Sequence, residues 1–183
     1  MNRLRSITIV FAALSSVVLA AESASIIDGP GYSFSIQVPQ GWRMTSTKNL
    51  QAAFHPADQT FENSPVILYV RSSDKSKLNV KTIEQMNQFD LHGIQKQHPK
   101  ASSKKVGTAM TSDGKQLPVY SFSGGGYFER VAYADEPKTI TVFVVSSKTE
   151  EGLKSAEKVF RDLIASYFFI SENTELPQTK SDR

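Results

Sequence analysis

The 183-residue chain contains no cysteine, and that one absence removes several chemistries together. Thiol catalysis, disulfides, cysteine zinc sites and a lipid carried on an N-terminal cysteine are all excluded. Histidine is almost as scarce, with His55, His92 and His98 the whole set, and tryptophan occurs once, at Trp42. Beyond residue 21 no run is apolar enough to cross a bilayer. Charge of one sign is also lacking. The full chain carries +3, and without Arg3 and Arg5 the balance falls to 19 basic against 18 acidic residues. The short basic stretches "DKSKLNVK" and "KASSKK" are mixed with polar residues and lie far apart, so they read as solvated edges and not as a phosphate-binding face. No nucleic-acid partner is expected.

At the start of the chain, Arg3 and Arg5 precede an uncharged run from Ile7 to Ala21 that ends in small side chains. This is the layout of a secretory signal peptide, with cleavage expected after Ala20 or Ala21. The run is shorter than the roughly 20 apolar residues of a spanning helix, so no stable membrane anchor is expected after cleavage. The expected organisation is a signal peptide over residues 1–21, one domain over 22–170 and a polar, mobile tail over 171–183. A periplasmic or secreted bacterial location follows, and the mature chain must be held together by its core alone.

The stretch "YSFSIQVPQGW" alternates strictly from Tyr32 to Val38, which predicts a strand with Tyr32, Phe34, Ile36 and Val38 on its buried face. Pro39 and Gly41 end it, and Trp42 then sits just past the strand, where its ring covers the edge of the core. The alternative is that Trp42 is a ligand platform. Strands are predicted at "LQAAFH" and "PVILYVR", the latter buried on both faces. Asn79 is placed to cap a helix closed by Pro99. A four-strand meander runs from Lys104 to Val145, with reversals at Asp113-Gly114, a two-residue hairpin signal, at Gly124–Gly126 and at Asp135-Glu136-Pro137. Ser147 and Glu150 have capping-box spacing for a final helix. Leu153, Ala156, Phe160, Leu163, Ile164 and Tyr167 form its apolar stripe, it stops near Ser166, and "YFFI" continues in extended form.

These elements together, from "YSFSIQVPQGW" through "PVILYV", a mid-chain helix and the meander to the closing "SYFF", resemble the PsbP-like fold family, which includes secreted bacterial DcrB-like proteins. The resemblance covers about residues 31–170. It implies an α+β domain, an α/β/α sandwich with a central, largely antiparallel sheet of about seven strands. It implies no reaction, since members mostly bind or stabilise partners and share no catalytic set. The chain departs from the DcrB-like pattern in lacking the lipidated cysteine.

Read for chemistry, the sequence offers little. His92 and His98 are six apart, not on one chelating helix face, and read as surface residues. His55 lies near Asp58 and Glu62, but a partly exposed strand-end position explains it without a metal. No nucleophile elbow occurs, and no histidine follows His98. Glu129 and Arg130 point to opposite faces of a strand, so these two and Asp135-Glu136 are expected on the solvent side or at layer edges. No catalytic residue, metal or cofactor is therefore expected, and no binding residue is singled out. The expectation is a non-enzymatic binding module for a protein or envelope component. The alternatives are a hydrolase built on carboxylates that the fold brings together, and a small-ligand or calcium-binding envelope protein.

Overall fold

The computed structural model describes residues 24–47, 49–50 and 52–171. The expected cleavage site at Ala20 and Ala21 and the tail from residue 172 lie outside them. The first hairpin joins β1 (Ala24–Gly29) to β2 (Tyr32–Gln37). The alternation of β2 is met on its apolar face, where Tyr32, Phe34 and Ile36 are buried, but Ser33 on the other face is buried too, with its hydroxyl donating to Asp28 at 2.7 Å, and only Gln37 is exposed. Strand β1 was not expected, because Ile26 and Ile27 are adjacent and give no alternating signal.

Chain direction reverses at Pro39-Gln40-Gly41-Trp42. The Trp42 amide donates to the Pro39 carbonyl at 3.0 Å. Gly41 has φ +76, the left-handed conformation that this turn needs at its third position. Trp42 lies past the end of β2 and is also the first residue of β3 (Trp42–Thr45). Its partner across the ladder is Pro56, at the end of β4 (Ala52–Pro56).

Five longer strands complete the main sheet: β5 (Val66–Asp74), β6 (Ser102–Met110), β7 (Gln116–Gly124), β8 (Tyr127–Asp135) and β9 (Thr139–Ser147). The order is β3-β4-β5-β9-β8-β7-β6 and every pairing is antiparallel. This is the expected seven-stranded sheet, but β2 is not part of it. Instead β10 (Phe168–Ser171) joins the other edge of β2, with Phe169 opposite Phe34, to make a separate three-stranded sheet β1-β2-β10. The Asp113-Gly114 reversal is also wider than a two-residue hairpin, since the Thr111 amide donates to Lys115 across a loop.

Helix starts differ from the sequence reading. Asp74 caps a short α1 (Lys75–Leu78), which ends at Asn79 in the left-handed conformation, so Asn79 stops a helix and does not start one. Helix α2 (Ile83–Gln95) begins at Thr82, whose hydroxyl accepts from the Gln85 amide while the Gln85 side chain accepts from the Thr82 amide. Near the C-terminus the cap is Thr149, not Ser147, and the predicted single helix is two, α3 (Glu150–Ser155) and α4 (Glu157–Ala165). The break at Ala156 hardly disturbs the stripe. Leu153, Ala156, Phe160, Leu163, Ile164 and Tyr167 are all buried.

The main sheet is covered on both faces, as the pattern of β9 predicts. Phe143 and Val145 pack into one core with α3, α4 and the small sheet. Ile140, Val142 and Val144 pack into a second core under α2. On β5, Val66, Leu68 and Val70 face the first core while Tyr69 faces the second.

Candidate functional site

Of the residues singled out in the sequence, Pro39, Gly41 and Trp42 form the turn described above. Trp42 is half-buried and packs on the first core. His55 is more buried than a strand-end position suggests, at 9% exposure, and its Nδ1 lies 2.9 Å from the Pro56 carbonyl. Asp58 and Glu62 are exposed on the loop beyond it. No group of three or more histidines and acids that would hold a metal occurs among the described residues. His92 is exposed on α2, as expected, but His98 lies past the helix end with its ring against Tyr127, 4.7 Å between centroids.

The larger correction concerns the charged residues of the meander. Glu129 and Arg130 do point to opposite faces of β8, but both faces are covered, so Glu129 is not on the solvent side. It is 5% exposed. It shares its face with Tyr127, Val131 and Tyr133, opposite Ser146 on β9 and Phe122 on β7. The neighbouring Tyr127 and Ser146 hydroxyls favour its charged form. Burial nevertheless pushes its pKa up to about 7, with the charge of Asp90 adding to the rise and that of Arg71 opposing it.

Asp90 reaches this cluster from α2. Its carboxylate receives Arg71 of β5 at 2.5 Å and the Tyr133 hydroxyl at 3.0 Å, and Arg71 also donates to Ser73 at 2.7 Å. Burial raises the pKa of Asp90 despite these partners. Asn87, one turn earlier on α2, is tied to Ser103 of β6 at 2.8 Å. Burial and the neighbouring carboxylates raise the phenols of Tyr69, Tyr127 and Tyr133, so all three stay protonated.

A second polar group occupies the opposite face. Glu136 is buried and receives Lys115 at 2.9 and 2.8 Å and the Tyr167 hydroxyl at 3.0 Å. Asp135 is exposed and pairs with Lys75 at 2.6 Å. Arg130 reaches Ser121 and lies 3.9 Å from Glu157 of α4.

At the end of the sheet nearest Glu129, the α2–β6 loop and the β7–β8 turn enclose an open depression of about 340 Å³, lined by Gln97, His98, Pro99, Lys100 and Gly125. The glycine run at 124–126, foreseen only as a reversal, has a packing reason as well. A Cβ on Gly124 would lie 2.2 Å from the Lys100 carbonyl oxygen. The turn is thus pressed against the loop, and the Tyr127 ring lies on His98, one of the residues that line the depression. The two acids with raised pKa values share one cluster, but neither lines the depression. Among the described residues no helix is long and apolar enough to cross a membrane.

No family model matches the sequence, and no curated protein does. Among solved structures, the chain is similar to the solution structure of cyanobacterial PsbP (CyanoP) from Synechocystis sp. PCC 6803. The TM-score is 0.51 over 85% of this chain and 98% of that one, at 14% sequence identity.

Proposed function

On the premise that the fold is PsbP-like, we propose that this chain is a secreted or periplasmic, non-enzymatic binding module for a protein or another envelope component. The fold carries no reaction with it, so the argument rests on the site. The observation that supports it is the depression between the α2–β6 loop and the β7–β8 turn. Its side chains offer an amide, an imidazole, an ammonium and a proline ring, which are recognition groups, on backbone fixed by the Gly124–Lys100 contact. The leader-like segment supports the location. The test is affinity capture from bacterial envelope extract with the tagged chain and a His98→Ala/Lys100→Glu variant. Specific capture by the first and not the second supports the reading. Turnover on a hydrolase panel without specific capture overturns it.

One observation favours an enzyme as the second reading, namely that Glu129 and Asp90 lie in one buried cluster with raised pKa values. That reading requires substrate to reach Glu129, and Glu129→Gln would then abolish turnover while leaving capture intact.

A further inference from the structure

We propose that the outer edge of β6, with the α2–β6 loop that leads into it, is the docking edge for an extended acidic segment of a partner protein, which adds to the seven-stranded sheet as a further strand. The inference rests on the binding-module reading and names the chemistry of its partner.

Charge is segregated at this edge. From Leu91 to Ser112 the chain has no acidic residue but four lysines, Lys96, Lys100, Lys104 and Lys105. All four are exposed, and none has an ion-pair partner among the described residues. Cations elsewhere are matched, Arg71 by Asp90, Lys75 by Asp135, Lys115 by Glu136, and both Arg130 and Arg161 by Glu157 of α4. The neighbouring strand offers no compensation, since β7 carries no charged side chain. What is missing along β6 is negative charge.

The backbone of the edge is closed at one end and open at the other. Strand β6 is the last in the sheet order, so one side of it has no neighbouring strand among the described residues. Thr108 stands opposite Pro118, which has no N–H to give, and the Thr108 carbonyl accepts instead from Arg161 of α4 at 2.9 Å. Ahead of the bulge at Val106, no side chain among the described residues bonds to the backbone of Lys104 or Lys105. Lys105 pairs with Tyr120 on the face covered by α2, and Lys104 pairs with Ser121 on the other. Successive side chains of an added strand alternate between the same two faces, so acids at neighbouring positions each meet a lysine. Antiparallel addition, the sense of every other pairing in the sheet, carries the later residues of the segment toward Ser102 and the depression lined by His98 and Lys100. Lysines along an edge repel a second copy of that edge, which excludes self-pairing and leaves a strand of opposite charge as the occupant.

The experiment is an NMR titration of the full chain with a soluble probe, an acetylated peptide of alternating Glu and Thr. Saturable shifts are expected at the Ser103, Lys105 and Gly125 amides, with affinity falling as salt rises, because exposed charges are screened. Methylating alternate peptide nitrogens removes ladder donors and no charge, and is expected to weaken binding at least about tenfold. Lys104→Glu/Lys105→Glu is expected to weaken it by at least about the same factor. A titration with no saturable shift at the β6 edge overturns the proposal. So does equal binding of the methylated peptide, which reduces the edge to a charged surface. Binding of phosphatidylglycerol vesicles with the same lysine dependence, and none of the peptide, overturns it in favour of a lipid surface. If the charge-reversed variant does not fold, Lys104→Gln/Lys105→Gln and the methylated peptide decide the matter. Envelope extract separates this inference from the reading it rests on. Capture undiminished by Lys104→Glu/Lys105→Glu overturns the docking edge alone, whereas probe binding at β6 without specific capture supports the edge and overturns the envelope partner.

Discussion

Thr139 sits at 1% exposure with a hydroxyl that has no hydrogen-bond partner among the described residues. A buried, unpaired hydroxyl is destabilising, and valine has nearly the same shape without it. Thr139→Val is therefore expected to raise stability by about 1 kcal/mol, measured by urea unfolding. Trp42 is a milder anchor than its uniqueness suggests. Because it is half-buried, Trp42→Ala should cost about 2 kcal/mol, less than the loss of a fully buried aromatic. Legibility at this scale divides by parity. The sequence places Glu129 and Arg130 on opposite faces, and the structure agrees. The same parity also puts Glu129 in line with Tyr127, Val131 and Tyr133, an aromatic and apolar row, and that row was the signal that the residue is buried. The nearby Asp90 was not legible, because its contact with Arg71 of β5 depends on how α2 lies across the sheet.

Elements were legible where their chemistry is local. The strands of the meander follow from alternation and turn residues, and both flanking helical regions follow from periodic apolar stripes. Their boundaries were less so. Asn79 and Ser147 are competent caps, but Asn79 adopts a left-handed conformation that ends α1, and Thr149 captures the Gly152 amide at 3.0 Å. A cap is chosen by the backbone path as well as by side-chain type. The break at Ala156 left no mark on the sequence, since the apolar spacing runs straight through it. Two predictions belong to this scale. Thr82→Ala removes the cap of α2 and should lower stability by about 1 kcal/mol in chemical denaturation. Gly124→Ala is expected to be much worse than an ordinary turn substitution, by about 2 kcal/mol or more, since its Cβ meets the Lys100 carbonyl and its φ is +127. Its effect should be seen first as loss of amide protection at Lys100 and Ala101.

At the scale of the molecule, the class and the strand count of the main sheet came from the resemblance to the PsbP-like family and agree with the seven-stranded sheet seen here. The sequence did not convey that the opening strand leaves that sheet to pair with the closing one. Nothing local could have shown it, because β2 and β10 meet across about 130 residues, as in the pairing of Phe34 with Phe169. Truncation after Ser166 removes Tyr167 and Phe169 from the first core, along with the partner strand of β2. The truncated chain is expected to lose cooperative unfolding and to bind a hydrophobic dye, as observed by thermal denaturation and fluorescence.

That pairing of first with last also sets a timetable. A chain delivered N-terminus first presents β2 early, yet Phe34 has no neighbour at its β10 edge until Phe169 has arrived. Contacts between segments so far apart form late and slowly. The small sheet thus keeps the opening segment unfinished until nearly the whole chain is present, so the last residues to arrive decide when the first are locked in place.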